Sequence, residues 1–138
     1  MSRSLLIALL LLPLASCGGP YKTAPVSGRI TLNGEPLDHA AVTFQPVATE
    51  DNIEPGPGSG AFTDAQGRYT LLLVGKETKG AVVGKNKVRI ILTPQANVLD
   101  KSNKPIKQLP NRYNKDTILE YDVPSKGTTA ADFDLTAP

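Results

Sequence analysis

Two short patterns, one at each end of the stretch Val26–Tyr69, narrow what this chain can fold into more than any other feature. At the first, Val26, Gly28, Ile30 and Leu32 alternate with Ser27, Arg29 and Thr31, the period-two signature of a half-buried strand. Asn33-Gly34 follows, a pair that accepts the positive φ angles of a two-residue hairpin turn. At the second, Phe62-Thr63 leads through Asp64-Ala65-Gln66-Gly67 into Arg68-Tyr69. There the aspartate can accept hydrogen bonds from its own turn and the glycine can take positive φ. Strand, tight turn, strand at both ends predicts a small antiparallel β-structure.

The rest of the chain repeats the pattern. Ala40, Val42 and Phe44 alternate up to Pro46, and Thr49 to Gly60 is a polar loop containing Pro55-Gly56-Pro57-Gly58, expected to be exposed. A strand resumes at Ala61. Arg68 to Val74 is apolar on both faces at Leu71, Leu72 and Leu73 and is expected to be central. Lys85 to Thr93 turns Val88, Ile90 and Leu92 inward and Lys87 and Arg89 outward. Leu119, Tyr121 and Val123, then Phe133 and Leu135, supply the last inward rows. Short strands punctuated by 12 Gly and 12 Pro predict an all-β fold, an antiparallel Greek-key β-sandwich of about seven strands. A domain spanning 26–138 is long enough to bury about two-thirds of its unfolded surface without a disulfide or a metal.

Ahead of that domain, Met1-Ser2-Arg3-Ser4 carries one positive charge and Leu5 to Leu12 is a compact apolar run stopped by Pro13. This is the layout of an export signal over residues 1–16, and the run is too short to cross a membrane as a helix. Leu14-Ala15-Ser16-Cys17 then resembles the bacterial lipobox: an aliphatic residue, two small residues and a cysteine. The resemblance implies a diacylglycerol thioether on Cys17, cleavage between Ser16 and Cys17, and acylation of the new N-terminus, for instance with palmitate. Cys17 is the only cysteine, so no internal disulfide competes for it. Residues 17–25 read as a flexible tether rich in Gly and Pro. Gly18 stands where many lipoproteins kept at the inner membrane have Asp. The expected location is therefore the cell envelope, lipid-anchored at the outer membrane and facing the periplasm or the surface.

A second resemblance covers most of Val26 to Leu135. Val26-Ser27-Gly28-Arg29-Ile30-Thr31-Leu32-Asn33-Gly34-Glu35-Pro36-Leu37, then Ala40 to Phe44, Thr63 to Leu71 and Gly84 to Ile90, resemble the carboxypeptidase regulatory-like domain. That family implies a transthyretin-like, immunoglobulin-like sandwich that serves as an accessory module beside other proteins. It implies no catalytic residue.

Chemistry is sparse. His39 is the only histidine, which excludes a multi-histidine metal site. With Asp38 beside it and no nucleophile placed by any motif, it reads as a solvated turn residue. Asp64-Ala65-Gln66-Gly67 offers too few oxygens for calcium, and Pro55-Gly56-Pro57-Gly58 lacks the ending of a phosphate loop. No enzyme activity, cofactor or metal is expected. A net charge of +2 is too small to suggest nucleic acid, but the charges come in blocks. Within the basic middle, the long polar segment 94–115 carries Lys101, Lys104, Lys107, Arg112, Tyr113 and Lys115. A loop of that length is either functional or disordered, and those six residues are the candidate binding set for an anionic glycan, a lipid headgroup or an envelope protein. The expectation is a membrane-anchored, non-catalytic sandwich acting as a structural or interaction module. The alternative is a carbohydrate- or protein-binding accessory module that uses the basic loop or a sheet edge.

Overall fold

The computed structural model describes residues 21–138. In chain order its strands are β1 Thr23–Ala24, β2 Ser27–Leu32, β3 Glu35–Pro36, β4 Ala40–Pro46, β5 Ser59–Phe62, β6 Arg68–Thr70, β7 Leu72–Leu73, β8 Ala81–Val82, β9 Gly84–Leu92, β10 Val98–Leu99, β11 Pro105–Ile106, β12 Glu120–Val123 and β13 Phe133–Leu135, with a single 3₁₀ turn at Asn111–Tyr113. Two sheets stack into a sandwich. One runs β12-β9-β4-β5-β7; the other joins β13, β2, β3 and β6. In the larger sheet β4, β5 and β7 follow one another, and β9 returns to lie beside β4. That return is a Greek-key connection. All strand pairs are antiparallel except β13, which runs parallel to β2.

The Asn33-Gly34 turn forms as the residue types require. Leu32 pairs with Glu35, and φ is +52° at Asn33 and +86° at Gly34, both in the left-handed region that a two-residue hairpin demands. In the second turn the Asp64 carboxylate accepts from the amides of Gln66 and Arg68 at 2.9 Å each. Gly67 there has φ +74°, and a Cβ on it would meet the Ile30 carbonyl oxygen at 2.3 Å. This turn packs against the β2–β3 hairpin, joining the two ends of the organising stretch.

Between the sheets lie Phe44, Ile30, Leu37, Leu71, Ile90, Val42 and Val88, all essentially inaccessible to solvent. Phe44, Tyr121 and Phe133 form a triangle with centroids 5.9 to 6.2 Å apart, in the edge-to-face range that aromatic quadrupoles favour. Gly28 lets the backbone of Ala131 come close: a Cβ on Gly28 would sit 2.0 Å from the Ala131 carbonyl oxygen. That oxygen accepts the hydroxyl hydrogen of buried Tyr69.

Three segments differ from the expectation. Arg68 to Val74 is not one central strand. It breaks at buried Leu71 into β6, which pairs with β2, and β7, at the edge of the larger sheet. A run apolar on both faces here marks a chain crossing from one sheet to the other rather than a strand covered twice. This crossing, together with the short ribbons β1–β8 and β10–β11, raises the strand number above seven. β5 begins at Ser59, inside the expected loop, because Ser59 and Gly60 pair with Phe44 and Thr43. Within the expected tether 17–25, Thr23 and Ala24 pair with Val82 and Ala81 and Ala24 is buried, so the packed domain starts before Val26.

Candidate functional site

Cys17 lies outside the described residues. The other six candidate residues fall into three groups, set by how segment 94–115 folds. β10 and β11 form a ribbon closed by a turn in which the Asp100 carboxylate accepts from the amides of Ser102 and Lys104 at 2.7 and 2.9 Å. Lys101 and Lys104 stand exposed on this turn. The loop is therefore ordered by the same device as the Asp64 turn, an aspartate accepting from its own backbone.

Tyr113 turns inward, while Arg112 lies exposed over its ring. Tyr113 is buried in the core, its hydroxyl accepting from the Thr136 amide at 3.0 Å. Arg112 donates to the Thr136 carbonyl at 2.7 Å and its hydroxyl at 3.1 Å, with the guanidinium 4.7 Å from the Tyr113 ring centroid. Burial alone would raise the Tyr113 pKa, but the hydrogen bonds from Thr136 and the positive charge of Arg112 bring it below the ordinary value. Together these two residues tie the 3₁₀ turn to Thr136, just after the last strand.

Lys107 and Lys115 form the third group. The segment folds back over the end of β9, and the two lysines line an open groove of about 680 Å³ with Arg89, Ile91, Leu92, Leu109 and Asn114. Arg89 is the residue that reading the loop by itself misses. Its outward position is legible from the alternation in β9, but that the loop ends beside it follows from Thr117 donating to the Val88 carbonyl and Val88 to the Leu119 carbonyl, a closure for which the sequence carries no local signal. Among the described residues the ion pairs are His39–Asp38 and Lys85–Glu120, so Arg89, Lys107 and Lys115 face the groove without carboxylate partners there.

His39 sits at an exposed turn with φ +53°, its Nδ1 3.0 Å from the Asp38 carboxylate. Its backbone is fully used: the amide donates to Asp38 and Thr63, and the carbonyl accepts from both the amide and the hydroxyl of Thr93. No cluster of three or more metal-ligating side chains occurs among the described residues, and no helix there is long and apolar enough to cross a membrane.

No family model matches the chain, and no curated protein matches it. Among solved structures it is similar to part of a 9R-lipoxygenase from Cyanothece PCC8801, at 14% identity and a TM-score of 0.36 over 85% of this chain. The chain spans 17% of that lipoxygenase chain.

Proposed function

We propose that this chain is a lipid-anchored cell-envelope protein whose β-sandwich is a non-catalytic structural or interaction module. The observation that carries the reading is Leu14-Ala15-Ser16-Cys17 placed directly after the apolar run Leu5–Leu12. Acyl chains on Cys17 would hold the protein firmly, at roughly 0.8 kcal/mol per buried CH₂. The position of Tyr21 supports an anchored orientation. It lies beside Pro46, Val82 and Lys85, at the start of β9, and the four residue steps from Cys17 reach at most about 14 Å. A lipid at Cys17 would keep this end of the sandwich near the membrane and turn the Leu92 end outward, with Gly18 favouring the outer membrane. The resemblance to carboxypeptidase regulatory-like domains fits an accessory role.

A second reading, a glycan- or protein-binding accessory module, is favoured by the groove that joins Lys107 and Lys115 to Arg89. The experiment for the anchor is detergent-phase partitioning with labelled palmitate. The wild-type chain is expected to enter the detergent phase carrying label, and Cys17→Ser to lose both. An unlabelled wild-type chain, or a Cys17→Ser chain that partitions like wild type, would overturn the reading.

A further inference from the structure

The outward face of β4, β5 and β9 is a trough with two chemically different walls. Cross-strand pairing sets Phe62, Ala41 and Ile91 in one row and Leu72, Gly60, Thr43 and Arg89 in the next. In the third, Lys87 pairs with Gln45, and Gly58 lies so close to Gln45 that a Cβ there would meet its side-chain oxygen at 2.9 Å. The floor is thus made of small residues: Gly58, Gly60, Ala41 and Thr43. One wall is apolar and open to water, with Phe62 72%, Val74 65% and Leu72 44% exposed. The other wall is Lys87, Arg89 and Ile91. A depression of about 250 Å³ lies between Val74 and Gly58 on one side and Lys87 and Arg89 on the other. Arg89 also lines the groove of Lys107 and Lys115, so the two depressions meet at its side chain. From Gly58 to Phe62 the trough runs about 13 Å. Neither depression is lined by an Asp or Glu; Glu120, opposite Lys87 on β12, pairs with Lys85. Exposed apolar side chains gathered on one sheet face mark a surface that meets something.

We propose that this trough binds an anionic glycan strand, a proposal that rests on and deepens the interaction-module reading. Sugar rings present apolar C–H faces and polar edges, which suits a site with Phe62, Leu72 and Val74 on one side and cations on the other. The ring faces pack on the apolar wall. The carboxylates or sulfates pair with Lys87 and Arg89, and the strand continues past Arg89 to Lys107 and Lys115. Arg89 is central because its planar guanidinium can hold an acid group with two hydrogen bonds. An acidic peptide fits less well. β4, β5 and β9 are each hydrogen-bonded on both sides, so this face offers no main-chain partners. An extended peptide laid across it would lose water from its own amides without replacement.

The test is calorimetric titration of the full-length protein in detergent solution with an oligogalacturonide and with sulfated dextran. A methyl-esterified oligogalacturonide and polyglutamate are the controls. Saturable binding of at least one anionic glycan is expected, weakened about tenfold or more by Arg89→Ala and by Phe62→Ala. The esterified chain and polyglutamate are expected to bind about tenfold more weakly or not at all. Both side chains are exposed, so unchanged unfolding midpoints in the two variants would show that the fold is intact. No binding to either anionic glycan, equal binding of polyglutamate, or indifference to Phe62→Ala would overturn the proposal. If glycan binding fails while the protein still enters the detergent phase with labelled palmitate, the trough proposal falls and the anchor reading stands. Loss of both would bring down the two together.

Discussion

Two Asx-type turns among the described residues, at Asp64 and at Asp100, use the same chemistry in opposite settings. Each has an aspartate carboxylate accepting from amides two and four residues on. The Asp64 turn is packed against the β2–β3 hairpin, with the Ile30 carbonyl against Gly67. The Asp100 turn stands at the tip of a ribbon, with Lys101 and Lys104 exposed. A local hydrogen-bond pattern specifies the shape of a turn. What the turn contributes to stability depends on what packs against it.

That contrast can be broken at several points. The largest effect is expected at Gly67. Alanine there must adopt φ +74° and push aside a backbone carbonyl, so Gly67→Ala should cost about 3 kcal/mol or more in urea unfolding. Gly34 is also at positive φ, but a Cβ on it would have nothing within 4 Å. Gly34→Ala should therefore cost only about 1 kcal/mol. Equal losses at the two glycines would mean that packing against Ile30 is not what distinguishes them.

Tyr69 gives a pH test of the same packed end. Burial, with Asp132 and Tyr121 adding, pushes its pKa far above the ordinary phenol value. The unfolded chain releases this proton near pH 10, about the ordinary tyrosine value, and the folded chain retains it. Above that pH the native state therefore holds more protons than the unfolded state, and stability falls as pH rises. Below it the contribution is fully present. Alkaline unfolding should steepen above about pH 10 and be blunted in Tyr69→Phe.

Smaller effects are expected in the basic segment. Tyr113→Phe and Arg112→Ala each remove hydrogen bonds to Thr136 and should cost about 1 to 2 kcal/mol. Both should also speed hydrogen exchange at Ile118, whose amide donates to the Arg112 carbonyl. Smallest of all, Lys101→Ser and Lys104→Ser should change stability by less than about 0.5 kcal/mol. A large loss there would mean that the Asp100 ribbon is packed in a way its exposure does not indicate.

Much of the sandwich is legible in the amino-acid sequence. The alternation in Val26–Leu32, Ala40–Phe44 and Val88–Leu92 states which side chains enter the core, and Asn33-Gly34 states where the chain reverses. These are local rules acting on neighbouring residues. The break of Arg68–Val74 at Leu71 is not legible, because three consecutive leucines look the same whether one sheet covers both faces or the chain passes between two. Asn86 is equally opaque. It occupies an inward position in β9, where the alternation predicts an apolar residue, and its amide donates to the carbonyls of Val82 and Gly84 at 2.8 and 2.9 Å. In the candidate site, the outward direction of Arg89 follows from its strand. Its meeting with Lys107 and Lys115 does not, because it depends on Thr117 and Leu119 closing onto Val88, 29 residues before Thr117. Basic residues that look alike along the segment become tip, tie and groove only through that long-range closure.

The measurement that bears most directly on the proposed anchored module is the intact mass of the mature protein's N-terminal peptide, isolated from a bacterial host competent for lipoprotein processing. The account predicts a chain beginning at Cys17 that carries a thioether-linked diacylglycerol. A chain that retains Met1, or one with an unmodified Cys17 thiol, would contradict it.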